Sequence, residues 1–292
     1  MNTQADSYMK QTRLAYAALA LGILCIGCSA LFVKFAAVPG TVSAFYRLCF
    51  AAPPLLVARL LVRKPLPARH DLLLMAAGGV LFAIDLSFWN AGLLLTSAAT
   101  ATLLANNAPI WVGLGALVFF RERLAPRFWL GLALSLLGMA LIVGSSGWRE
   151  LRFNHGDLLA IAASFFYAAY LLTTQKARVR NDTLTFMTVS VVVGAVLLLA
   201  VNLGMGFTLT GFSPRSWWAL VGLGLVSHLV GWLAINYALG HLKASAVSVS
   251  LLAQAVVTAL LSIPLLGETL GVAQTIGGLL VLSGIYLVNS RK

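Results

Sequence analysis

Apolar residues run through this chain in blocks long enough to cross a membrane. Short polar or basic punctuation, such as RKPLPARHD at 63–71 and RERLAPR at 121–127, cuts the blocks apart. Since about twenty apolar residues span a hydrocarbon core, the pattern predicts ten membrane-spanning helices. They are expected over 14–36, 42–62, 72–94, 97–119, 128–144, 157–176, 184–204, 216–239, 244–266 and 271–289. Such continuous runs exclude a membrane β-barrel, whose strands alternate apolar and polar positions. The longest connections, 145–157 and 205–216, are too short for a domain outside the membrane. Function must therefore be built from the helices themselves, in an all-α integral membrane fold with the lipid bilayer as its surroundings.

Composition strengthens this reading: 60% of the 292 residues are hydrophobic and 10% charged, against roughly 25% charged in soluble domains. A net charge of +12 would point to nucleic acid in a soluble chain, but here its placement carries the information. Arg47 lies inside a span. Of the other Lys and Arg, fifteen fall on the side of the termini and four (Lys34, Arg149, Arg152 and Arg215) on the other. The bias predicts both termini in the cytoplasm, and no nucleic-acid partner is expected. The first apolar run lacks a small-residue cleavage site, so it is expected to remain as a span and not to act as a signal peptide. Cys25, Cys28 and Cys49 all fall within spans and are read as packing residues. No cofactor and no metal is expected.

Shifting the chain on itself by 146 residues aligns 90–143 with 236–289 and preserves Asn90/Asn236, Glu122/Glu268, Gly131/Gly277 and Gly138/Gly284. Residues 1–146 and 147–292 are thus expected to be two five-helix repeats of one membrane domain. Five is odd, so the second copy enters the membrane in the opposite sense. Inverted repeats of this kind are the architecture of secondary transporters, whose halves rock about a central site.

The ten spans, the duplicated halves, the RERL (121–124) and GETL (267–270) turns, the GDLLAIAASFFYAAYLL opening of the sixth span and the arginine in the second resemble the EamA family of the drug/metabolite transporter superfamily. The resemblance covers essentially the whole chain, and length and aromatic content are most like the YddG-type bacterial exporters of aromatic amino acids. It implies a multi-pass carrier in the bacterial inner membrane. Arg121 stands where the family pattern has glycine, while Gly267 keeps it. Glu122 and Glu268 are read as helix-end anchors on opposite faces, and Lys34 as a further anchor near the outer end of the first span.

A charge at mid-membrane costs roughly 2.5–3.5 kcal/mol on insertion scales, so such groups face the protein interior. Three ionisable side chains lie deep: Arg47, Asp85 and His228. Counted from the span boundaries at about 1.5 Å per residue, Arg47 and Asp85 reach similar depth. Two readings of Arg47 stay open. It could form an internal ion pair with Asp85, or present its guanidinium fork to a substrate carboxylate.

Other polar and aromatic residues repeat every four positions: Asp85 and Trp89; Thr102 and Asn106; Asn107 and Trp111; His228, Trp232 and Asn236; Ser250, Gln254 and Thr258. On a lipid-surrounded helix such stripes turn inward. The candidate substrate-binding set is Arg47, Asp85, Asn90, Asn106, Asn107, His228, Asn236 and Gln254, with Tyr46, Trp89, Trp111, Tyr167, Tyr170, Trp232 and Tyr237 as its aromatic members. Simple helix-to-helix hydrogen bonding is the competing reading of each amide. Trp148, Trp217 and Trp218 fit an interfacial belt. Pro53, Pro54, Pro109 and Pro264 interrupt spans, as hinges or as packing kinks.

One deep cation, inward amides and aromatic lining suit an alternating-access exporter of amino acids, aromatic ones included, and related small metabolites. Nucleotide-sugar and phosphate-ester carriers are the alternative, yet dianions call for clustered Lys and Arg, and only Arg47 lies deep. The small multidrug members of the superfamily resemble a four-span unit with an acidic residue in the first helix; the first span here has none, which disfavours export of cationic drugs. An intramembrane enzyme is the remote alternative: Ser29 and His228 form no recognisable nucleophile–base motif, and no H-E-x-x-H occurs, so no enzymatic activity is expected. Asp85 and His228 are the groups to carry a proton if export is antiport; facilitated downhill export fits the sequence equally.

Overall fold

The computed structural model describes residues 2–65, 67–96, 98–144, 154–267 and 269–290. Among them ten helices are long and apolar enough to cross a membrane. They are α1 (Met9–Ala36), α2 (Gly40–Val62), α3 (Arg69–Gly92), α4 (Thr100–Phe119), α5 (Pro126–Val143), α6 (His155–Arg178), α7 (Thr183–Gly204), α8 (Pro214–Leu239), α9 (Ala244–Leu265) and α10 (Val272–Asn289). The described residues contain no strand. The expected spans hold to within a few residues, and the largest difference is the earlier start of α1. Glu268, Trp148, Arg149, Arg152, Arg291, Lys292 and the expected repeat boundary after residue 146 lie outside the described residues.

The helix starts are written into the sequence. Asn154 and Asp157 form a capping box on α6, and the Asp182 carboxylate accepts from the Thr185 amide to cap α7. The Ser213 hydroxyl accepts from the Ser216 amide ahead of Pro214 on α8. Each cap satisfies amides that a helix start leaves without partners.

Packing obeys the inverted repeat. Along the α5–α10 seam Gly131 lies against Gly284 and Gly138 against Gly277, the same pair read in both directions after a shift of 146. A Cβ on either member of the Gly138–Gly277 pair would run into the other's carbonyl; only glycine allows the backbones this close. Midway, the Ser135 hydroxyl donates to the Val281 carbonyl at 3.3 Å. Ser135 and Val281 are themselves repeat equivalents, so the pseudo-twofold axis passes between them. The α2–α7 pair straddles the axis in the same way: Leu48 packs on its equivalent Gly194, and the Asn202 amide donates to the Thr41 carbonyl at 3.0 Å.

Besides a short break at Cys28 in α1, three interruptions break the regularity. Helix α4 breaks at Asn106–Asn107, between Ala98–Ala105 and Ala108–Phe119. Pro109, which has no N–H for the Ala105 carbonyl, accounts for it. Helix α9 breaks at the matching place, Leu251–Leu252, between Ala244–Ser250 and Ala253–Leu266. No proline stands there, so the second break comes from packing and not from local chemistry. The third interruption is a ten-residue π-helical stretch, Leu223–Trp232, inside α8, which the periodicity does not announce. It packs closely on α2, where a Cβ on Gly224 would meet Phe50 at 2.6 Å. Wide turns of this kind are rare and cluster at functional sites.

Candidate functional site

A cavity of about 410 Å³ lies between the two halves, within the roughly 300–1,000 Å³ of small-molecule pockets. The α4 break opens onto it, with Ala105 and Asn106 in the wall, while Gln254, Ala255 and Thr258 line it just beyond the α9 break. The remaining walls come from Ser29 and Val33 on α1, Arg47 on α2, Phe82, Asp85 and Trp89 on α3, Tyr167 on α6 and Trp232 on α8. Val143 and Ser262, near the ends of α5 and α9 remote from the termini, also line it. The cavity thus runs from the middle of the bundle toward the face opposite the termini.

Among the described residues Arg47 and Asp85 are its only charged lining residues, and they form no ion pair within 4.0 Å. The ion pairs among the described residues are Lys64–Asp182, His70–Asp71 and Lys243–Glu122. Arg47 Nε is buried without a hydrogen-bond partner among the described residues. Its Cζ stands 6.0 Å from the centroid of the Phe82 ring, a weak cation–π contact. Of the two readings of Arg47, the direct pair with Asp85 is therefore not the one adopted.

Beneath the charges lies an aromatic floor. The Phe82 ring sits 4.9 Å from both Tyr170 and Trp232, and Trp232 is 5.9 Å from Tyr167. These tilted and edge-on geometries are the favoured ones for aromatic pairs. Two polar atoms in this layer, Trp232 Nε1 and His228 Nδ1, are buried without partners among the described residues. Across the cavity the Gln254 amide reaches Asn106 at 3.5 Å, joining the two broken helices.

Seven of the fifteen candidates thus meet in the cavity wall: Arg47, Asp85, Trp89, Asn106, Tyr167, Trp232 and Gln254. The others are placed elsewhere. The Tyr46 hydroxyl donates to the Leu209 carbonyl, and its ring packs with Phe50 and Trp217 near the far end of the bundle. Trp217 is therefore part of a cluster, while Trp218 is exposed as a belt residue would be. Asn90 is buried against Gly40 and donates to the Leu86 carbonyl. Trp111 donates to Ser164 at 2.9 Å, tying α4 to α6. Asn107 sits in the α4 break without lining the cavity, and the Tyr237 ring lies tilted against His241 with centroids 4.4 Å apart. Tyr170 and His228 pack within the floor layer without lining the cavity, and Asn236 lies behind it. The His228–Trp232–Asn236 stripe follows a helix that crosses from the cavity into solid packing.

Phe82, Ser29 and Ser262 were missing from the candidates. Phe82 and Ser262 extend stripes already visible, Asp85–Trp89 by one turn back and Gln254–Thr258 by one turn on. Ser29 carries no such signal. It follows the α1 interruption at Cys28, where the Gly27 carbonyl accepts from the Thr258 hydroxyl of α9 at 2.7 Å.

The end of the bundle nearer the termini is closed by polar contacts. Asn236 is fully buried and donates to the Trp232 carbonyl, the Tyr170 hydroxyl and the Met187 sulfur. Arg178 Nε donates to the Asn236 carbonyl at 3.1 Å, and the Gln175 side chain accepts from the Ala244 amide. Glu122, in the turn after α4, pairs with Lys243 at 3.0 Å and accepts from the Ser245 hydroxyl at 2.9 Å. It ties the turn after α4 to the start of α9. Lys34, the other residue read as an anchor, is exposed near the end of α1.

Comparison with known proteins agrees with this architecture. The model of the EamA-like transporter family matches twice, over residues 13–144 and 154–290. An uncharacterized transporter of Archaeoglobus fulgidus is 28% identical, over 85% of this chain and 87% of its own. The transporter YdfC of Bacillus subtilis, also uncharacterized, is 26% identical over 83% and 79%. A probable terminal-alkyne amino-acid exporter of Streptantibioticus cattleyicolor is 28% identical over 84% and 80%. One solved crystal structure superposes with a TM-score of 0.79 at 20% identity, covering 96% of this chain and 98% of its own; at that identity the likeness speaks for the fold. With two matched copies, ten spans and a cavity between inverted halves, the chain belongs to the EamA-like transporter family.

Proposed function

We propose that this protein exports amino acids, aromatic ones among them and in the manner of the YddG-type carriers, across the bacterial inner membrane by alternating access about the 410 Å³ cavity. The observation that carries this reading is Arg47. Its guanidinium belongs to the cavity wall, makes no ion pair, and stands beside an aromatic floor. A substrate carboxylate supplies the bidentate partner that the protein withholds, and an apolar or aromatic side chain packs on Phe82, Trp89 and Trp232. The family relative named as a probable amino-acid exporter supports the same substrate class.

The bias of Lys and Arg toward the side of the termini supports a cytoplasmic N- and C-terminus. In that orientation the cavity faces outward and the Asn236 and Glu122 contacts close the cytoplasmic end. Export then requires those contacts to open and the far end to close. The interrupted helices α4 and α9, equivalent under the repeat, are the elements placed to change together. Counterflow in vesicles holding the purified protein tests this reading. Labelled L-phenylalanine and L-threonine are expected to exchange, while a nucleotide sugar and a sugar phosphate are not. Exchange of the phosphorylated compounds without the amino acids would overturn it.

A further inference from the structure

The second charge in the cavity has no role in a pure carboxylate site. Asp85 lies on α3, one turn on from Phe82, and lines the same cavity as Arg47. It makes no hydrogen bond or ion pair among the described residues. Opposite charges in a poorly polarisable interior attract strongly, and a flexible pair left to itself closes up. This pair nevertheless stands more than 4.0 Å apart among the described residues, with the Phe82 ring beside the guanidinium. Phe82 is wedged at 4.9 Å from both Tyr170 and Trp232, and the Arg47 guanidinium lies against its ring.

Resting on the amino-acid reading, we infer that Asp85 is the ammonium-binding residue of a zwitterion site, with Arg47 as its carboxylate-binding counterpart. The pair makes the cavity lining electrically neutral and strongly polarised. A monoanion meeting Arg47 is repelled by Asp85, and a cation meeting Asp85 is repelled by Arg47. Only a ligand carrying both charges neutralises both residues at once, and it replaces water at two desolvated charges instead of stranding one. The uncharged remainder of the wall, Phe82, Trp89, Trp232 and the Asn106–Gln254 amides, receives the side chain. Asp85 thus selects α-amino acids over their deaminated and decarboxylated relatives, a discrimination that Arg47 alone does not provide.

Isothermal titration of the detergent-purified, full-length protein with L-phenylalanine, 3-phenylpropionate and phenethylamine tests this. Wild type is expected to bind phenylalanine at least about tenfold tighter than either analogue, as losing one charged hydrogen bond implies. In Asp85→Asn the advantage of phenylalanine over 3-phenylpropionate is expected to collapse to within about threefold, and Asp85→Glu is expected to restore part of it. The ratio is taken within one preparation, so the fraction of folded protein cancels. If the asparagine variant does not purify, the wild-type series and Asp85→Glu decide. Equal binding of phenylalanine and 3-phenylpropionate by wild type overturns the inference, as does an unchanged ratio in Asp85→Asn. Failure of wild type to bind or exchange any amino acid instead brings down the functional reading, and this inference with it.

Discussion

The two ends of the bundle are held by different chemistry. At the end nearer the termini, α4, α6, α7, α8 and α9 are joined by buried amides, a tyrosine hydroxyl, an arginine and the Glu122–Lys243 pair. At the far end the cavity wall is mostly apolar, Ser262 bonds back along its own helix, and the helices are tied by isolated contacts such as Thr258 to the Gly27 carbonyl and Asn202 to the Thr41 carbonyl, with no ion pair among the described residues. The sequence carries the same asymmetry. Under the repeat, Glu122 corresponds to Glu268, but Lys243 and Ser245 correspond to Ser97 and Ala99. An inverted-repeat carrier exchanges its two halves between states, so an equal seal at each end needs equal residues there. This chain has Lys243 and Ser245 at one end but Ser97 and Ala99 at the matching positions of the other, so the partners of Glu122 are not repeated.

The strongest way to break the contrast is Asn236→Leu. It removes the amide that links Trp232, Tyr170 and Met187 in a fully buried setting, at an expected cost of about 1–3 kcal/mol for stranded polar groups. Thermal unfolding in detergent should register it as a fall in Tm of several degrees. Glu122→Ala comes next. Its carboxylate is only 8% exposed and serves both Lys243 and Ser245, so about 1.5–2 kcal/mol is expected. Labelling of an introduced cysteine at position 175 should become faster in this variant as the closed end loosens.

Acid probes the same end. Burial raises the Asp182 carboxyl, but the Thr185 amide and hydroxyl and the Lys64 ammonium more than offset this and hold it below its ordinary value of 3.8. The unfolded chain therefore binds this proton more readily than the folded one. The contribution is fully present above pH 3.8 and is lost as pH falls through the lowered folded value. The side chain is 35% exposed and its charge is screened by solvent, so the loss should stay under about 1 kcal/mol; Asp182→Asn should remove that part of an acid-unfolding profile.

Lys243→Ser writes into the second repeat the residue found at the matching position of the first. Since this lysine is 66% exposed, about 0.2–1 kcal/mol is expected in Tm measurements. Ser262→Ala at the far end is the control, with a change under about 0.5 kcal/mol. A larger loss at Ser262 than at Glu122 would erase the contrast between the ends.

The fold was legible because each of its determinants is periodic. The ten apolar runs and the matched glycines act locally or repeat at a fixed interval, whereas the caps Asn154 and Asp182 emerged only with the structure. The site was legible only in part. Stripes such as Asp85–Trp89 and Gln254–Thr258 indicate which helix face turns inward, and those faces do meet in the cavity. A stripe does not reveal where along its length the cavity stops, so Asn236 and Tyr170 fall in packing below it. Tyr46 and Trp111 depend on partners far off in sequence, Leu209 and Ser164. The π-helical stretch of α8 and the proline-free break of α9 arise from tertiary packing, and nothing in their local sequence marks them.

The most direct test of the account is exchange of labelled L-phenylalanine in vesicles, wild type against Arg47→Gln, in preparations matched for inserted protein. Loss of the bidentate carboxylate contact is worth about 1.5–3 kcal/mol, so the account predicts a tenfold to hundredfold fall in exchange at subsaturating substrate. Exchange at the wild-type rate would contradict it, and Arg47 would then be a structural charge with the carboxylate recognised elsewhere.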